Sequence, residues 1–226
     1  MYNLCVNTFH YKKSASGLVL LFMLAASKLV YAGDSQNQVS AELKRAIVNF
    51  DEIEPGFYRS GWLPAETYPY LKQAGIKTIV NFIDRKDQIR EEKEALASLG
   101  IETISIPWNG FDYPKDEDVQ KFLQITRDRT KRPLLVHCRR GAERTGVMVA
   151  CWRIAEKDWR VEKAYQEMTD HGFQWFWYGH LKKYLYNFAK PYGHQENYSN
   201  NILTRLKTNA LYGIYRVRKL FAFAYT

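Results

Sequence analysis

Short apolar runs and helical patterns alternate along the middle of the chain. Four runs predict strands: Phe57–Gly61, Ile76–Ile83, Ile101–Pro107 and Pro133–His137. The last three are rich in β-branched residues or leucine and have few polar interruptions, which is typical of strands buried on both faces of a sheet.

Between these strands the apolar residues return at helical spacing. The predicted helices cover Ala65–Ala74, Lys86–Leu99 and Asp116–Arg129. Gly75 and Gly100 follow the first two, as expected for the left-handed residues that end helices. Alternating strands and helices predict an α/β fold with a mainly parallel central sheet flanked by helices.

The chain beyond Gly146 is predicted to be helical. Helices are expected over Val147–Ala155, Val161–Thr169 and Phe173–Ala189, and residues 191–226 form a basic C-terminal helical extension. Its apolar residues recur every three or four positions: Leu203, Leu206, Ala210, Ile214, Val217 and Phe221. This amphipathic helix could lie on an anionic membrane surface, bind a partner, or dock on its own domain, and docking on its own domain is the default for such a face.

The first 32 residues have a different composition. Two lysines precede an unbroken run of apolar and small residues from Gly17 to Ala26, and small residues return near Ala32. This order predicts a cleaved secretory signal over residues 1–32, followed by a linker over 33–44. The alternative is an uncleaved anchor, but about ten apolar residues are too few for a bilayer that needs about 20. We therefore expect an exported protein, periplasmic or secreted.

Composition and charge set broad limits. With 226 residues, of which 46% are hydrophobic and 25% charged, the chain has room for one globular domain with a substantial core. The formal charge is +9, and residues 1–32 hold three lysines and no acidic residue, so their removal leaves +6. A moderately basic protein favours anionic partners without specifying which.

The cysteines are not expected to form a disulfide. Cleavage of the signal removes Cys5 and leaves Cys138 and Cys151. If a helix begins near Arg144, Cys151 lies about 10 Å along it, which exceeds the limit of about 7 Å between bridged Cα atoms. Cys151 is therefore expected to be a buried small hydrophobic residue.

The stretch LLVHCRRGAERTG (134–146) joins a strand to a helix through a cysteine, three arginines and two glycines. Amide N–H groups that converge at a helix N-terminus stabilise negative charge, whether a thiolate or a phosphate. Gly141 lets the turn tighten, and the planar guanidinium of Arg144 matches two phosphoryl oxygens. The Thr145 hydroxyl can donate to the sulfur and improve it as a leaving group. Together these residues suit attack of sulfur on phosphorus.

Residues 137–146, HCRRGAERTG, resemble the HCxxGxxR[ST]G signature of the cysteine-dependent protein tyrosine phosphatases. The short domain and its helical C-terminal part are most similar to the dual-specificity branch. The stretch FYRSGWLPAETYPYLKQAGIKTIVNF also resembles the opening of its compact bacterial and fungal members. The resemblance covers residues 45–190 and implies the phosphatase fold of that superfamily.

The family mechanism implies roles for the loop residues. Cys138 would form a phosphocysteine intermediate, and Arg144 would bind the phosphoryl oxygens of the transition state. His137 would help to hold the loop and keep the thiol acidic. The residues that would supply the rest of the phosphate-binding loop are Arg139, Arg140, Gly141, Ala142 and Glu143. For the two arginine side chains, contact with substrate and exposure to solvent both remain open.

The family also implies a general acid on a loop before the cysteine. WNGFDYPKDEDVQ (108–120) follows the third predicted strand and precedes a helix, where that loop is expected. Asp112 is our candidate, because a general acid must lie on a loop over the site. Asp116 is the rival, although its position suits a helix N-cap better. Glu117 and Asp118 are expected to be solvated acids of the first helical turn.

Other residues near these motifs are ambiguous. Arg59 and Ser60 either contact the loop or only pack and hydrogen-bond within the sheet. Asp84 and Arg85 follow the second predicted strand, on the side where the active-site loops of parallel sheets gather. No metal or other cofactor is implied, because the histidines lack ligand spacing.

The substrate is the least determined property. Relatives in the family handle phosphotyrosine, phosphoserine or phosphothreonine, phosphoinositides and inositol polyphosphates. Arg139 and Arg140 favour a multiply charged substrate, whereas Glu143 favours the opposite, since many inositide-directed relatives carry a lysine there. The leading hypothesis is a phosphomonoester hydrolase for phosphotyrosine proteins, with phosphoserine and phosphothreonine also open. A phosphoinositide or inositol polyphosphate phosphatase and a non-catalytic phosphate-binding module are the alternatives. We expect no nucleic-acid partner.

Overall fold

A five-stranded sheet with the strand order β1-β2-β5-β3-β4 forms the centre of the molecule. The computed structural model describes residues 38–194 together with Ala210 and Ile214. The strands are β1 (Asp51–Glu54), β2 (Phe57–Ser60), β3 (Thr78–Asn81), β4 (Glu102–Ser105) and β5 (Leu134–His137). Only the β1–β2 pair is antiparallel among these strands. The predicted α/β fold with a mainly parallel sheet is confirmed.

Helices cover both faces of the sheet. They are α1 (38–46), α2 (Tyr68–Gln73), α3 (Lys86–Ser98), α4 (Asp116–Arg127), α5 (Arg144–Lys157), α6 (Val161–Asp170) and α7 (Trp175–Ala189). Three short 3₁₀ turns lie at Ala65–Thr67, Arg129–Lys131 and Lys190–Tyr192. The predicted helix over residues 65–74 is thus divided into a 3₁₀ turn and α2, with Pro69 near the start of α2.

The alternation of side chains along β5 divides the core into two layers. Leu134 and Val136 pack with residues of α4 to α7, whereas Leu135 packs with residues of α1 to α3. All three are fully buried, as expected for a strand covered on both faces. The unbroken apolar run therefore predicted the central strand correctly.

The carboxyl ends of three parallel strands lie side by side. His137 at the end of β5 is in register with Ser60 of β2 and with Asn81 of β3. The loops that follow these strands therefore meet at one edge of the sheet, where ligands bind in open α/β folds.

Two elements differ from the expectation. The edge strand β1 has the sequence DEIE, and it was missed because only one of its residues is buried and no apolar run marks it. The sequence predicts a linker over 33–44, but residues 38–46 are helical and Leu43 is 1% exposed. Leu43 and Ile47 belong to the core layer of α1 to α3.

The predicted signal over residues 1–32 lies outside the described residues. Most of the C-terminal extension does too: the structure describes only residues 191–194, Ala210 and Ile214 of it, and the last two are helical and exposed. Within the part of the chain that the structure describes, no helix is long and apolar enough to cross a membrane.

Candidate active site

The signature residues form a tight loop between β5 and α5. Cys138 follows the central strand directly and is 2% exposed. Gly141 has a φ of +73° and donates its backbone N–H to Cys138 Sγ at 3.3 Å. Arg144 is the first residue of α5, so the sulfur also lies near the positive end of a helix dipole. The loop thus offers the sulfur both an amide donor and a favourable dipole.

No other residue fits at Gly141. A Cβ atom there would lie 2.7 Å from both the backbone nitrogen of Gly61 and the carbonyl carbon of Ser60. These are backbone atoms at the end of β2, so they cannot rotate away as a flexible side chain could. Gly141 is required both by its left-handed conformation and by this close approach.

Three consecutive loop carbonyls are hydrogen-bonded from outside the loop. Their donors are Trp62 N–H to the oxygen of Arg139 at 3.0 Å, Asn49 Nδ2 to that of Arg140 at 2.8 Å, and Arg59 Nη2 to that of Gly141 at 2.8 Å. In a trans peptide the carbonyl and the next N–H point in opposite directions. The N–H groups of residues 140–142 are therefore directed away from these donors, and that of Gly141 is observed to meet the sulfur. Such converging amides bind anions.

The Arg144 side chain is held over the same site. Its Nη1 donates to the carbonyl oxygens of Phe82 at 3.1 Å and Trp108 at 3.2 Å, and to Asp84 Oδ1 at 2.9 Å. The side chain is 13% exposed. Loops after β3 and β4 thus fix a guanidinium beside the cysteine loop.

A buried contact between a histidine and a glutamate lies behind the loop. His137 Nε2 is 3.2 Å from Glu92 Oε1 and 3.1 Å from Oε2, and both side chains are fully buried. Asn81 Nδ2 donates to Glu92 Oε1 at 2.6 Å, and the Asn81 Oδ1 accepts from Ile83 N–H at 2.6 Å. This network connects the residue before Cys138 to α3 and to the end of β3.

The two neighbouring loop arginines have different surroundings. Arg140 Nη1 donates to Glu143 Oε1 at 2.6 Å, and its Nη2 donates to the carbonyl of Gly172 at 3.3 Å. Burial raises the pKa of Glu143, and the Arg140 charge opposes that rise. Among residues 38–194, no ion pair holds Arg139, whose side chain is exposed. Arg139 is therefore the loop arginine that can turn toward a ligand.

A cavity of about 690 Å³ opens over the loop. Its lining comprises Asp84, Asn109, Gly110, Phe111, Cys138, Arg139, Arg140, Glu143, Arg144 and Tyr178. Phe111 and Tyr178 stack with ring centroids 4.8 Å apart and form an aromatic wall. Tyr178 has non-helical angles inside α7, and burial raises the pKa of its hydroxyl. The cavity combines guanidinium groups with an aromatic wall.

A second cavity of about 390 Å³ adjoins the first. It is lined by Trp62, Ile83, Asp84, Arg85, Gln88, Arg139 and Arg144. Asp84, Arg139 and Arg144 line both cavities. The two spaces therefore meet at the guanidinium groups beside Cys138.

The two candidate acids lie in different places. Asp112 is on the loop between β4 and α4, directly after the cavity residue Phe111, although Asp112 itself does not line the cavity. Hydrogen bonds from the backbone of Phe111 and Asp112 to Asn109 tighten this loop. Asp116 instead lines a separate cavity and accepts a hydrogen bond from Tyr184 at 3.2 Å. Its expected N-cap position is occupied by Lys115, and Asp116 is the first residue of α4.

The remaining candidates are also placed by the fold. Thr145 is fully buried in the first turn of α5, and Ala142 is buried within the loop. The Thr145 Oγ1 has no hydrogen-bond partner among the described residues, so the expected donation to the sulfur is not observed. Arg85 pairs with Asp87 at 2.8 Å on the exposed start of α3. Ser60 Oγ donates to the carbonyl of Gly61, and the Ser60 backbone packs on Gly141.

Sequence reasoning missed two polar residues next to the loop. Glu92 occupies the core-facing stripe of α3, between Ile89 and Leu96. An acidic residue at an apolar position of a helix is visible in the sequence and could have identified it. Asn49 gave no signal, because it lies in an irregular segment before β1.

Both cysteines of the described chain are free and buried. Burial raises the pKa of the Cys151 thiol well above its ordinary value. No group of three or more His, Cys, Asp or Glu side chains in the described ranges is arranged to hold a metal ion.

Residues 32–177 match the family model described as DSP-PTPase phosphatase fused to NAD+ kinase. The chain is 31% identical over 127 residues to the dual specificity protein phosphatase TpbA of Pseudomonas aeruginosa, which covers 56% of each protein. It is 29% identical over 134 residues to inositol diphosphatase DSP3 of Arabidopsis thaliana, covering 56% of this chain and 64% of that one. A match to the chloroplastic NAD kinase 2 of the same plant covers 45% of this chain and only 11% of the kinase.

Solved structures share the fold. A candidate phosphatase from Shewanella putrefaciens superposes with a TM-score of 0.57 at 22% identity, covering 68% of this chain and 96% of that one. The catalytic core of the PP-IP phosphatase SIW14 from S. cerevisiae superposes with a TM-score of 0.54 at 21% identity, covering 73% and 93% of the two chains.

Proposed function

Because the chain belongs to the dual-specificity branch of the cysteine-dependent protein tyrosine phosphatases, we propose that it hydrolyses phosphomonoesters through a phosphocysteine intermediate. The observation that carries this proposal is the contact of the Gly141 N–H with Cys138 Sγ in a cavity that also contains Arg144. An inward amide stabilises negative charge on sulfur, and the guanidinium adds the positive charge that a phosphoryl group requires.

In the first step the Cys138 thiolate attacks phosphorus. A sulfur–phosphorus bond forms while the bond from phosphorus to the ester oxygen breaks, and the leaving oxygen takes a proton from the Asp112 carboxyl group. The loop amides and Arg144 stabilise the charge that spreads over the phosphoryl oxygens.

In the second step water attacks phosphorus of the phosphocysteine. The Asp112 carboxylate accepts a proton from the water, the sulfur–phosphorus bond breaks, and inorganic phosphate leaves with the thiolate restored. Asp112 is favoured over Asp116 because the loop of Asp112 borders the cavity, whereas Asp116 lines another one. A general acid and base of this kind contributes about 10² to 10⁴ in rate.

The protein-phosphatase hypothesis rests on the aromatic wall. The stacked rings of Phe111 and Tyr178 lie at the side of a cavity with guanidinium groups at its base. A phosphotyrosine places a phosphate and an aromatic ring on one axis, and aromatic side chains pack against such a ring. We therefore keep phosphotyrosine proteins as the first substrate class.

The second cavity favours another candidate, a substrate with several phosphates. Glu143 pairs with Arg140 and neutralises its charge. The glutamate therefore opposes binding of a multiply charged substrate at Arg140 alone and leaves the charge of Arg139 available. Arg139 lines both cavities and can reach a second anionic group beside the one in the loop. An inositol diphosphate or polyphosphate carries such a group, and DSP3 is named for that activity.

The reaction is tested with p-nitrophenyl phosphate in a chelating buffer. We expect hydrolysis that vanadate inhibits, loss of turnover in Cys138→Ser with phosphate binding retained, and at least a tenfold fall in kcat for Asp112→Asn. Asp116→Asn is the matched control and should retain wild-type kcat. Full activity of Cys138→Ser would remove the mechanism, and a selective loss in Asp116→Asn would reassign the acid.

The substrate class is tested by comparing a phosphotyrosine peptide with an inositol polyphosphate. If the second cavity binds another phosphate, Arg139→Ala raises KM for the polyphosphate several-fold and leaves KM for p-nitrophenyl phosphate unchanged. Arg90→Ala is the control, because it removes the same charge from an exposed position on α3. Equal KM changes in both variants would assign the effect to net charge alone.

Export remains a proposal drawn from residues 1–32 alone. Mass spectrometry of the protein from its own cells should find a new N-terminus near Gly33. An intact chain beginning at Met1 would refute cleavage.

A further inference from the structure

Arg59 is a fully buried arginine on a central strand. It is 0% exposed, and its Nη2 donates to the carbonyl of Gly141 across 82 residues of sequence. Within residues 38–194, its Nε and Nη1 have no hydrogen-bond partner and no carboxylate pairs with it. A buried cation without a carboxylate partner is costly, so its presence here calls for another compensating anion.

The charges that attract Arg59 come from two acidic residues outside the loop and from the loop cysteine. Burial lowers the pKa of Arg59 to about 10, so the guanidinium stays charged at neutral pH. The negative groups that act on it most strongly are Glu167, Cys138 and Asp51, while Arg153 repels it. A phosphate bound above Cys138 would add a negative charge near Arg59 and would offset part of the cost of its burial.

Asn49 holds the preceding carbonyl of the loop, that of Arg140. Its φ is +55°, a left-handed conformation that is uncommon outside glycine and that asparagine tolerates better than most residues. The side-chain Nδ2 donates both to the carbonyl of Arg140 at 2.8 Å and to that of His171 at 3.1 Å. Asn49 thus connects the loop to the turn between α6 and α7.

We propose that Arg59 and Asn49 are positioning residues, which hold two loop carbonyls from outside and so turn the following amides toward the Cys138 sulfur before substrate binds. The peptide geometry links cause and effect, because each carbonyl that is pulled outward directs the next N–H inward. The Gly141 N–H, which follows the carbonyl held by Asn49, does meet the sulfur at 3.3 Å. This inference rests on the proposed function, since it assigns roles for the same site.

The first test removes the Arg59 contact. We compare wild type with Arg59→Met and Arg59→Lys, all as full-length proteins. The first measurements are vanadate affinity and the kcat and KM for p-nitrophenyl phosphate. The last is the pH profile of iodoacetamide labelling at Cys138, which peptide mass spectrometry reads. For Arg59→Met we expect vanadate affinity to fall at least tenfold and the labelling midpoint to move to higher pH by about one unit. Arg59→Lys retains the positive charge but lacks the planar guanidinium group. Its vanadate affinity and labelling midpoint should therefore lie between those of wild type and Arg59→Met.

The arginine control is Arg132→Gln. Arg132 is also largely buried, with a side chain 12% exposed that is paired with Glu54 near the opposite ends of the strands. Its loss should lower stability and leave the labelling profile and vanadate affinity unchanged. A merely structural role for Arg59 would give the same pattern as this control.

The second test concerns Asn49 and does not depend on Arg59 variants folding. Asn49→Gly keeps the left-handed backbone and loses the donor, whereas Asn49→Asp keeps the size and places a carboxylate oxygen against the carbonyl. We expect several-fold weaker vanadate binding in Asn49→Gly and a larger loss in Asn49→Asp. Asp158→Gly is the control, because Asp158 has a φ of +52° at the end of α5.

The outcomes separate the two proposals. If wild type hydrolyses p-nitrophenyl phosphate and both positioning variants show the expected losses, the inference is supported. If wild type is active but the variants of both residues match their controls in labelling and vanadate affinity, the inference is overturned and the proposed function stands. If wild type neither hydrolyses the ester nor binds vanadate, both are overturned.

Discussion

Gly141→Ala tests whether the loop tolerates any side chain at its sharpest turn. Alanine at a φ of +73° costs about 1–2 kcal/mol for the left-handed backbone. Its Cβ would also lie 2.7 Å from Gly61 N and from the carbonyl carbon of Ser60. Crowding of this kind costs about 1–3 kcal/mol in a packed interior. The two terms predict a loss of about 2–5 kcal/mol in the free energy of unfolding.

Gly75→Ala isolates the backbone term. Gly75 has a φ of +77°, and nothing lies within 4 Å of a Cβ built on it. We therefore expect this variant to lose only about 1–2 kcal/mol. The difference between the two variants measures the steric contact between the loop and the end of β2.

The activity of Gly141→Ala should fall more than its stability suggests. Normal carbon contacts begin at about 3.5 Å, so the loop must move by about 0.8 Å to accept the new atom. A misplacement of about 1 Å at a reacting centre can cost about 10²-fold in rate. Guanidinium unfolding followed by circular dichroism gives the stability, and p-nitrophenyl phosphate kinetics give kcat/KM. Equal stability of the two alanine variants with full activity in both would refute the reasoning.

Three further predictions follow from buried titratable groups. Glu92→Leu leaves His137 Nε2 and Asn81 Nδ2 without their buried partner and should cost about 1–3 kcal/mol of stability for each unsatisfied group, measured by denaturant unfolding. A change below about 1 kcal/mol would show that the contact is dispensable. Burial lowers the pKa of His180 from 6.5 to about 4, so the unfolded chain binds the proton first and stability falls as pH drops from about 6.5 to 4. His180→Phe should flatten the unfolding free energy over that range, and an unchanged slope would assign it to other groups. Because burial raises the pKa of Cys151, iodoacetamide should label Cys138 and leave Cys151 unmodified until the protein is unfolded, which peptide mass spectrometry reads directly.

The sequence alone was sufficient for the order of elements from β2 onward and for the loop. Apolar runs and helical periods are local patterns, and they predicted β2 to β5 and the helices that separate β2, β3, β4 and β5. The HCRRGAERTG stretch carries its own context, because a strand must precede it and a helix must follow it. The edge strand β1 was not predicted, because a strand with one buried residue has no apolar run to mark it.

The tertiary structure decided which side chains serve the loop. The contacts of Arg59 and Asn49 with loop carbonyls join residues 82 and 91 positions apart, and the Glu92–His137 contact spans 45 positions. From sequence, Arg59 was equally compatible with simple packing in the sheet, and Arg139 and Arg140 could not be told apart. Only the fold shows that Glu143 and the Gly172 carbonyl hold Arg140 while Arg139 faces the cavities.

The physical reason is the difference between local and long-range constraints. Secondary structure follows from backbone propensity and side-chain periodicity over a few residues, which the sequence displays directly. The direction of a loop carbonyl depends on whichever donor the rest of the fold brings within about 3 Å, and no spacing in the sequence records that distance.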